Sequence, residues 1–360
     1  MSMKEEKKKI FVGVSGGVDS SVSAALLQEQ GHDVVGVFIR TWQPDWIECT
    51  WQDERRDAMR VCAHLDIPFV ELDLEKEYKQ GVADYMIAEY RAGRTPNPDV
   101  MCNKEVKFGG FLKWALEHGG DAVATGHYAQ NIFNEETGMY EMHKGKDAGK
   151  DQSYFLWTLT QDQLSKSLFP VGGFEKSHVR ELAEKFTLPT ATKKDSQGIC
   201  FIGKISMKDF LGHYIDEEKG DVVDIEGNII GEHNGALFFT LGERHGFTIT
   251  KKGTNDLPYY VVAKNIADNT ITVSQDQDAD TSTSTEIKLE SVSWASGIPK
   301  IGGNYTGQIR YHGEQKPFTI AGLKDDHMVL HLAQNDSTIT SGQSFVMYSG
   351  TRCLGGGVIQ

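Results

Sequence analysis

The chain has 360 residues, more than one hydrophobic core usually organises, so two or three domains are expected. Its net charge of −14 weighs against binding nucleic acid through overall charge, so any RNA must be met by local clusters of Lys and Arg. The five cysteines form an odd set without a CxxC pair, which argues against a secreted disulfide framework and against a tetrathiolate metal or cluster site. Reactive thiols are the remaining alternative.

The amino terminus, MSMKEEKKK, is charged and leads directly into an apolar run. It lacks the hydrophobic region of a signal peptide, and no later window approaches the length of a membrane span. We therefore expect a cytoplasmic protein with no membrane partner.

Residues 9–21, KIFVGVSGGVDSS, predict a strand, a phosphate-binding loop and the start of a helix. Gly16 and Gly17 lack the Cβ atoms that would keep an anion from the backbone N–H groups. The serines add hydroxyl donors, the helix directs its positive end at the anion, and Asp19 suits a capping or magnesium-binding role. An ordinary strand-to-helix turn is the alternative, but the complete string favours a nucleotide site.

The loop differs from the two common nucleotide motifs, because no Lys follows the glycines and the GxGxxG spacing is missing. It resembles the loop of ATP pyrophosphatases, which split ATP between the α and β phosphates. That resemblance implies adenylation of a carbonyl oxygen and leaves the substrate open.

The next segments alternate between strand and helix patterns: a strand at residues 32–42, a helix at 53–67 and the strand FVELDL. This order predicts a parallel sheet with helices on both faces and a ligand site beyond the carboxyl ends of its strands. Ile39 could touch an adenine ring there, although an ordinary core position is about equally compatible with its spacing.

A helix over residues 77–93 precedes the segment TPNPDVMCN. Its two prolines predict a stiff, extended loop, with Asn103 as the N-cap of the following helix. Cys102 would then lie immediately before a helix start, where the dipole lowers the pKa of a thiol. A chance free cysteine explains the residue equally well. Cys62 is expected to be a core residue, and Cys49 carries no metal site.

Residues 122–130, AVATGHYAQ, predict a strand that ends in a Gly-His turn, and we favour a site-facing role for His127 over a core position. The lysine-bearing segment HKGKDAGKDQSYFLWTL predicts either a solvated loop or a grip on RNA phosphates and bases, followed by a helix rich in aromatic residues. A short helix at residues 177–186 leads to Cys200, which lies between Gly198 and Gly203.

Beyond about residue 210, short strands alternate with Gly, Asn and Asp turns, and residues 276–285 have the composition of a linker. We expect a Rossmann-like α/β domain with a parallel sheet at residues 1–209, a small β-rich central domain at 210–280 and a C-terminal β-barrel at 281–360. The barrel would contact RNA or serve only as an accessory domain.

Taken together, the motifs resemble those of the bacterial tRNA-specific 2-thiouridylase family over nearly the whole chain. The matching stretches are SGGVDSS, TPNPDVMCN, TGHYA, KDQSYFL, DSQGICFIG, TLGERHG, IRYHG and LGGGVI. The resemblance implies an ATP pyrophosphatase domain that binds ATP with Mg²⁺. It also implies two macromolecular partners, a tRNA with a wobble uridine (Lys, Glu and Gln acceptors) and a sulfur-donating protein of a cysteine desulfurase relay.

The resemblance also implies roles for individual residues. Those that contact ATP are Gly13, Val14, Ser15, Gly16, Gly17, Val18, Asp19, Ser20, Ile39 and Gly126. Those that contact the target base or the rest of the tRNA are Asn97, Pro98, Asp99, His127, Lys150, Asp151, Gln152, Arg310, Tyr311 and Gln343. Cys102 corresponds to the nucleophile and Cys200 to the persulfide carrier, and Asp99 is our candidate general acid or base. Ile39 departs from the Met often found at that family position, a small change for an apolar contact.

The chemistry of replacing the uridine O2 by sulfur agrees with this assignment. Adenylation supplies a leaving group, and a persulfide supplies sulfur in an oxidation state that a thiol can transfer. Two thiols are needed, one to hold the sulfane sulfur and one to reduce it to sulfide or to close a disulfide as the product leaves.

Other functions remain alternatives. An argininosuccinate synthetase or an amidotransferase-type nucleotide synthetase uses the same loop but needs no pair of thiols. A thiocytidine-forming relative is disfavoured because the chain has no CxxC. A non-catalytic tRNA-binding module with a relic nucleotide loop would show no tRNA-dependent release of pyrophosphate.

Overall fold

The computed structural model describes residues 6–47, 51–195, 205–250, 257–276, 279, 285–336 and 339–360. Within those ranges, none of the helices is long and apolar enough to cross a membrane. The strands are β1 Lys9–Gly13, β2 Asp33–Arg40, β3 Phe69–Asp73, β4 Ala122–Ala124, β5 Ala129–Asn134, β6 Met139–Lys144, β7 Ser167–Leu168, β8 Gly220–Val223, β9 Ile229–His233, β10 Phe247–Ile249, β11 Tyr260–Asn265, β12 Thr270–Ser274, β13 Glu286–Trp294, β14 Tyr305–Gln308, β15 Lys316–Lys324, β16 His327–Leu332, β17 Ser344–Ser349 and β18 Arg352–Ile359.

The helices lie mainly in the first 212 residues. They are α1 Val18–Glu29, α2 Trp51–Leu65, α3 Glu75–Tyr78, α4 Tyr85–Arg91, α5 Pro98–Met101, α6 Leu112–Glu117, α7 Gln161–Leu164, α8 Lys176–Lys185 and α9 Met207–Gly212. Segments of π-helix, Lys79–Asp84 and Cys102–Phe111, join α3 to α4 and α5 to α6, and short 3₁₀ turns occur at Ser153–Leu156 and Ala236–Phe238.

The amino-terminal unit is built on a five-stranded sheet with the order β3-β2-β1-β4-β7. Every neighbouring pair in it is parallel. Its central strands are almost continuously apolar, as expected of a sheet covered on both faces, and Ile10 and Val12 are fully buried. The order reverses between β1 and β4, which places the topological switch point where these two strands end.

Two further β units follow. Strands β8 to β12 form a sheet with the order β10-β9-β8-β12-β11, packed on a small core that includes Val222, Val261 and Ile271. Strands β13 to β18 form a six-stranded barrel, which the pairing of β13 with β18 closes. These observations confirm the expected class: a Rossmann-like parallel-sheet domain, then a β-rich unit, then a β-barrel.

Three local predictions were wrong. Residues 122–130 do not form one strand, because the chain turns after β4 and re-enters as β5 in a different sheet. The β5–β6 hairpin then pairs with β18 through Arg352 and Cys353, so it extends the barrel sheet from within the amino-terminal unit. The predicted aromatic helix is only the turn Ser153–Leu156.

The third error concerns TPNPD, which is not wholly extended, since α5 begins at Pro98. Asn97, not Asn103, is the N-cap, and its side-chain oxygen accepts hydrogen bonds from the N–H groups of Asp99 and Val100 at 3.1 and 3.2 Å. Proline is well tolerated at the first helical position, where its missing N–H would have no intrahelical partner. Asn103 instead donates to the carbonyl of Phe155 at 3.1 Å.

Candidate active site

The glycine-rich loop lies between β1 and α1, at the switch point of the parallel sheet. Gly16 has a φ of +72°, and a Cβ there would lie 2.6 Å from the carbonyl oxygen of Glu54. Gly17 is the N-cap of α1 with an extended backbone, and within the described chain no side chain caps that end. A helix end of this kind, preceded by a left-handed glycine, is suited to receive an anion.

Serine hydroxyls brace the loop. Ser20 Oγ accepts a hydrogen bond from the N–H of Ser15 at 3.2 Å and donates to the carbonyl of Gly17 at 3.2 Å. Ser21 Oγ donates to the same carbonyl at 2.7 Å. Ser15 is exposed, with its Oγ 3.3 Å from Ser20 Oγ, whereas Ser20 and Ser21 are buried and hold the loop in shape.

The other predicted nucleotide contacts surround this loop. Gly126 follows β4, and a Cβ there would lie 2.7 Å from the nitrogen of Ser20, so a glycine is needed for the close approach. Ile39 is only 7% exposed, and its Cδ1 would lie 3.9 Å from a Cβ on Gly13. Ile39 is therefore packed in the core directly under the loop.

Asp19 is the acidic residue of the loop, and it is held by an ion pair. Lys176 Nζ lies 2.6 Å from Asp19 Oδ1 and 2.8 Å from Oδ2, and the Tyr128 hydroxyl donates to Oδ1 at 2.7 Å. Burial, together with the neighbouring Asp19 carboxylate, raises the pKa of Tyr128, so the phenol stays a hydrogen-bond donor.

A second carboxylate, Asp195, joins this pair to a wider network. Asp195 Oδ1 lies 3.0 Å from Lys176 Nζ and 2.7 Å from Arg180 Nη2, while Oδ2 accepts from Lys150 Nζ at 2.7 Å. Partial burial acts to raise the pKa of Asp195, but the hydrogen bonds from Lys150 and Lys176 outweigh it and lower the pKa to about 2. The carboxylate is therefore ionised at every physiological pH.

The predicted tRNA triplet lies in this network. Lys150 is 40% exposed at its side chain, even though it is paired with Asp195. Asp151 accepts from the N–H groups of Gly145 and Ser153, and Gln152 Oε1 accepts from the N–H of Tyr128 at 3.0 Å. Asp151 and Gln152 thus hold the loop in shape, and Lys150 presents its charged side chain to solvent.

Cys102 is fully buried, in a hydrophobic cluster that includes Val106 and Phe108. It follows α5 within a continuous helical run, so its predicted place immediately before a helix start was wrong. The reason is the Asn97 cap and the Pro98 start described above. The same run reaches the end of β1, just before the nucleotide loop, because Phe111 Cε1 would lie 3.5 Å from a Cβ on Gly13.

The remaining cysteines divide into two groups. Cys200 and Cys49 lie outside the described residues. Cys62 and Cys353 are buried, and burial raises the pKa of both thiols, that of Cys62 to about 11. These two positions behave as apolar core residues.

His127 lies in the interior rather than at an open surface. It is 8% exposed, its Nδ1 lies 2.7 Å from Thr125 Oγ1, and its ring is close to Phe108 and Phe169. Burial, with a smaller contribution from Lys107, holds the pKa of His127 well below its usual value, so the ring is neutral. Its contact with tRNA stays a prediction.

The predicted tRNA residues of the barrel meet those of the amino-terminal unit. A cavity of about 150 Å³ separates the two units. Its lining consists of Thr95, Pro96, Asn97, Tyr154, Ile309, Arg310, Tyr311, Gln343 and Ser344. Tyr154 ties the two sides together, because its hydroxyl lies 2.8 Å from the carbonyl oxygen of Ile309 and 3.1 Å from that of Ser344. The fold therefore brings Asn97, Arg310, Tyr311 and Gln343 to one place.

A larger cleft of about 610 Å³ lies beside the ends of β2 and β3. It is lined by Trp42, Asp73, Glu75, Lys76, Glu77 and Lys79, none of which was a predicted site residue. In the described part of the chain, no cluster of three or more His, Cys, Asp or Glu side chains could hold a metal ion.

Sequence reasoning missed Tyr128, Lys176 and Asp195. Lys176 meets Asp19 across 157 positions, and no local pattern marks such a pair. Only one local feature of the sequence pointed to this pair. A lysine at the first position of a helix opposes the helix dipole, which suggests that a distant carboxylate stabilises it.

Comparison with known families gives three consecutive matches along the chain. Residues 8–204 match the family described as a tRNA methyl transferase HUP domain. Residues 208–275 match a tRNA methyl transferase PRC-barrel domain, and residues 284–359 match an aminomethyltransferase beta-barrel domain.

Curated relatives match over almost the whole length. The tRNA-specific 2-thiouridylase MnmA of Streptococcus thermophilus is 44% identical over 357 residues, which cover 98% of this chain and 95% of that protein. The protein of the same name from Hydrogenovibrio crunogenus is 43% identical, with 98% and 93% covered. Among solved structures, the U34-tRNA thiolase NcsA of Methanococcus maripaludis gives a TM-score of 0.36 at 20% identity, over 59% of this chain and 65% of that one.

Proposed function

The chain belongs to the tRNA-specific 2-thiouridylase family, and from that premise we propose that it catalyses the ATP-dependent 2-thiolation of the wobble uridine (position 34) of tRNA. The observation that carries the proposal is the contact between two motifs. The helical run that bears Cys102 reaches, through Phe111, the end of β1 at Gly13, where the chain enters the glycine loop that is suited to bind ATP. This arrangement supports a site in which a nucleotide and a thiol act together.

The first chemical step is adenylation. The uridine O2 attacks the α phosphate of ATP, the bond between the α and β phosphates breaks, and pyrophosphate leaves. The glycine loop and the amino terminus of α1 bind the phosphates, Ile39 packs under the nucleotide site, and Asp19 is the carboxylate that would hold Mg²⁺ together with those phosphates. Mg²⁺ would neutralise charge on the phosphates as pyrophosphate departs.

The second step transfers sulfur from a persulfide on Cys200. In one route the terminal sulfur attacks C2 of the uridine, AMP leaves, and the Cys102 thiolate then attacks Sγ of Cys200 to release 2-thiouridine. In the other route Cys102 attacks first and releases sulfide, which displaces AMP. Both routes end in a Cys102–Cys200 disulfide, which a cellular thiol must reduce before the next cycle.

Asp99 is our candidate general acid or base in these steps, since it lies in the first turn of α5, three residues before Cys102. Asn97 and Pro98 would contact the target base. Arg310, Tyr311 and Gln343, which share a cavity with Asn97, would contact the surrounding tRNA, and Lys150 a phosphate. Asp151, Gln152 and His127 would contribute to tRNA binding from positions inside the fold.

The division of labour along the chain is also part of the proposal. Residues 1–209 would form the catalytic domain, 210–280 the central domain and 281–360 the tRNA-contacting barrel. The sulfur would come from a protein of a cysteine desulfurase relay, and the tRNA partners would be the Lys, Glu and Gln acceptors. The site of action would be the cytoplasm.

The test is mass spectrometry of the wobble uridine in tRNA from cells that lack this protein. The proposal predicts loss of 2-thiouridine at position 34 and its return on complementation. In parallel, purified protein should release pyrophosphate from ATP only when tRNA is present. Unchanged thiolation in the deletion, or release of pyrophosphate without tRNA, would contradict it.

A further inference from the structure

The nucleotide loop has no cation of its own. Between Gly13 and Ser23 the chain carries no Lys or Arg, and its one charged side chain, Asp19, is negative. A triphosphate bound at Gly16 and Gly17 would therefore meet like charge from Asp19. Loops of the GxxxxGK[ST] type avoid this because a lysine inside the motif contacts the phosphates.

Lys176 brings a cation to the same place from a distant helix. Its Nζ lies within 3.0 Å of both Asp19 and Asp195, and its side chain is only 13% exposed. It also lies 5.6 Å from the centroid of the Tyr128 ring. The ammonium is thus held between two carboxylates, at the edge of the loop that would bind the phosphates.

Local energetics do not explain a lysine at this position. Lys176 is the first residue of α8, where the helix dipole disfavours positive charge, and its own N–H needs Asp147 as a hydrogen-bond acceptor at 2.9 Å. A partly buried ion pair contributes little net stability after desolvation. Lys185, at the other end of α8, forms an ordinary surface ion pair with Glu29 of α1 at 2.9 Å. That pair already links the two helices, so a second link does not explain Lys176.

We propose that Lys176 is a nucleotide-binding residue that contacts the β and γ phosphates of ATP and supplies the cation missing from the glycine loop. This inference rests on the proposed use of ATP. In the free protein Asp19 and Asp195 hold the ammonium in place, so little side-chain entropy is lost when a nucleotide binds. With ATP bound, the phosphates would take over the Lys176 contact from Asp19, which would then be available to hold Mg²⁺, while Asp195 would keep its bonds to Lys150 and Arg180.

The test compares nucleotides with and without the β and γ phosphates. Affinities for α,β-methylene ATP and for AMP are measured by calorimetry on wild type and K176M, with tRNA present. Loss of one charge-assisted contact should weaken binding of the ATP analogue by about 10- to 100-fold and leave AMP almost unchanged. K176R should recover most of the affinity, and K185M, the matched control on the same helix, should bind both nucleotides as wild type does.

The other outcomes show whether the Lys176 inference or the proposed function is wrong. Equal weakening of ATP analogue and AMP in K176M, or no change in either, would overturn the inference and leave Lys176 a structural residue. If K176M fails to fold, K176Q gives the same comparison, because its amide can still hydrogen-bond to both carboxylates. Wild-type protein that releases no pyrophosphate with tRNA would refute the proposed function, while selective loss of the ATP analogue in K176M would still support the Lys176 contact.

Discussion

The nucleotide side and the thiol side of the candidate site are organised differently. The glycine loop is ordered by its own contacts: Gly16 is left-handed, Ser20 and Ser21 brace the turn, and Asp19 is held by Lys176 and Tyr128. The thiol side is closed at Cys102, which is fully buried. Under the proposed mechanism, the protein would be prepared for ATP before tRNA arrives, whereas sulfur transfer would require Cys102 to become accessible.

This order protects the chemistry. A persulfide or a reactive thiolate that is exposed in the absence of substrate would be lost to solution thiols and oxidants. In the proposed mechanism ATP can bind without such a loss, because its α phosphate is attacked only when a uridine oxygen reaches it. Substitutions on the two sides should therefore have different signatures.

The largest effect is expected on the nucleotide side. Asp19→Ala removes the carboxylate that would hold Mg²⁺ and the partner of Lys176, so tRNA-dependent release of pyrophosphate should fall by about 100-fold or more. Affinity for tRNA should stay within a few-fold, as measured by filter binding. Glu29→Ala, on the same helix but at its other end, is the control; similar activity in both variants would remove the loop from the mechanism.

The thiol side can be tested by its accessibility. In free protein, alkylation of Cys102 should be slower than that of a fully exposed cysteine by about tenfold or more, since the thiolate must be reached by reagent. Adding tRNA and ATP should accelerate it. Peptide mass spectrometry reads each cysteine separately, and buried Cys62 and Cys353 should stay slow throughout. Rapid labelling of Cys102 without ligands would contradict a closed thiol side.

A smaller effect separates the two glycines of the loop. Gly16→Ala places a Cβ 2.6 Å from the Glu54 carbonyl on a left-handed backbone, so it should reduce the free energy of unfolding by about 1–3 kcal/mol. Gly17→Ala meets only Ser15 Oγ at 3.4 Å with an extended backbone, and its cost should stay below about 1 kcal/mol. Urea unfolding measures both. Equal destabilisation would mean that Gly16 is not constrained in this way.

The smallest effect concerns acid stability. The pKa of Asp195 is lowered from its usual 3.8 to about 2, so this carboxylate stabilises the native state above pH 4. That contribution should be lost as the pH falls from about 4 toward 2. Asp195→Asn should therefore be less stable than wild type at pH 6, and the difference should shrink at pH 3. A difference that is independent of pH would exclude the ionised network as its cause.

Much of the fold was predictable because it follows from periodicity. The apolar runs of β1 and β2 and the glycine loop between β1 and α1 mark a parallel sheet whatever surrounds them. The class of the two β units followed from short alternating strands. The motifs also identified the family, because the matching stretches are spread along nearly the whole chain.

The errors had two causes: a local helix-start signal that was overlooked, and contacts between segments far apart in the sequence. Asn97 and Pro98 start a helix, because Asn97 caps it and Pro98 fits its first turn. This combination is overlooked when both prolines of TPNPD are treated only as helix breakers. The β5–β6 hairpin joins the barrel because the first residues of β18, Arg352 and Cys353, precede the part of β18 that pairs with β13, and they lie far along the chain. Lys176 and Asp195 became visible only when folding brought them to Asp19.

In the proposed mechanism the two thiols have separate tasks. The direct measurement uses radiolabelled sulfur from a cysteine desulfurase relay, followed on non-reducing gels and in tRNA hydrolysates, for wild type, Cys102→Ser and Cys200→Ser. We expect no label on the Cys200→Ser protein, and label on the Cys102→Ser protein without any 2-thiouridine in tRNA. Cys62→Ser should load and transfer sulfur as wild type does. Label retained on Cys200→Ser, or thiouridine formed by Cys102→Ser, would contradict the account.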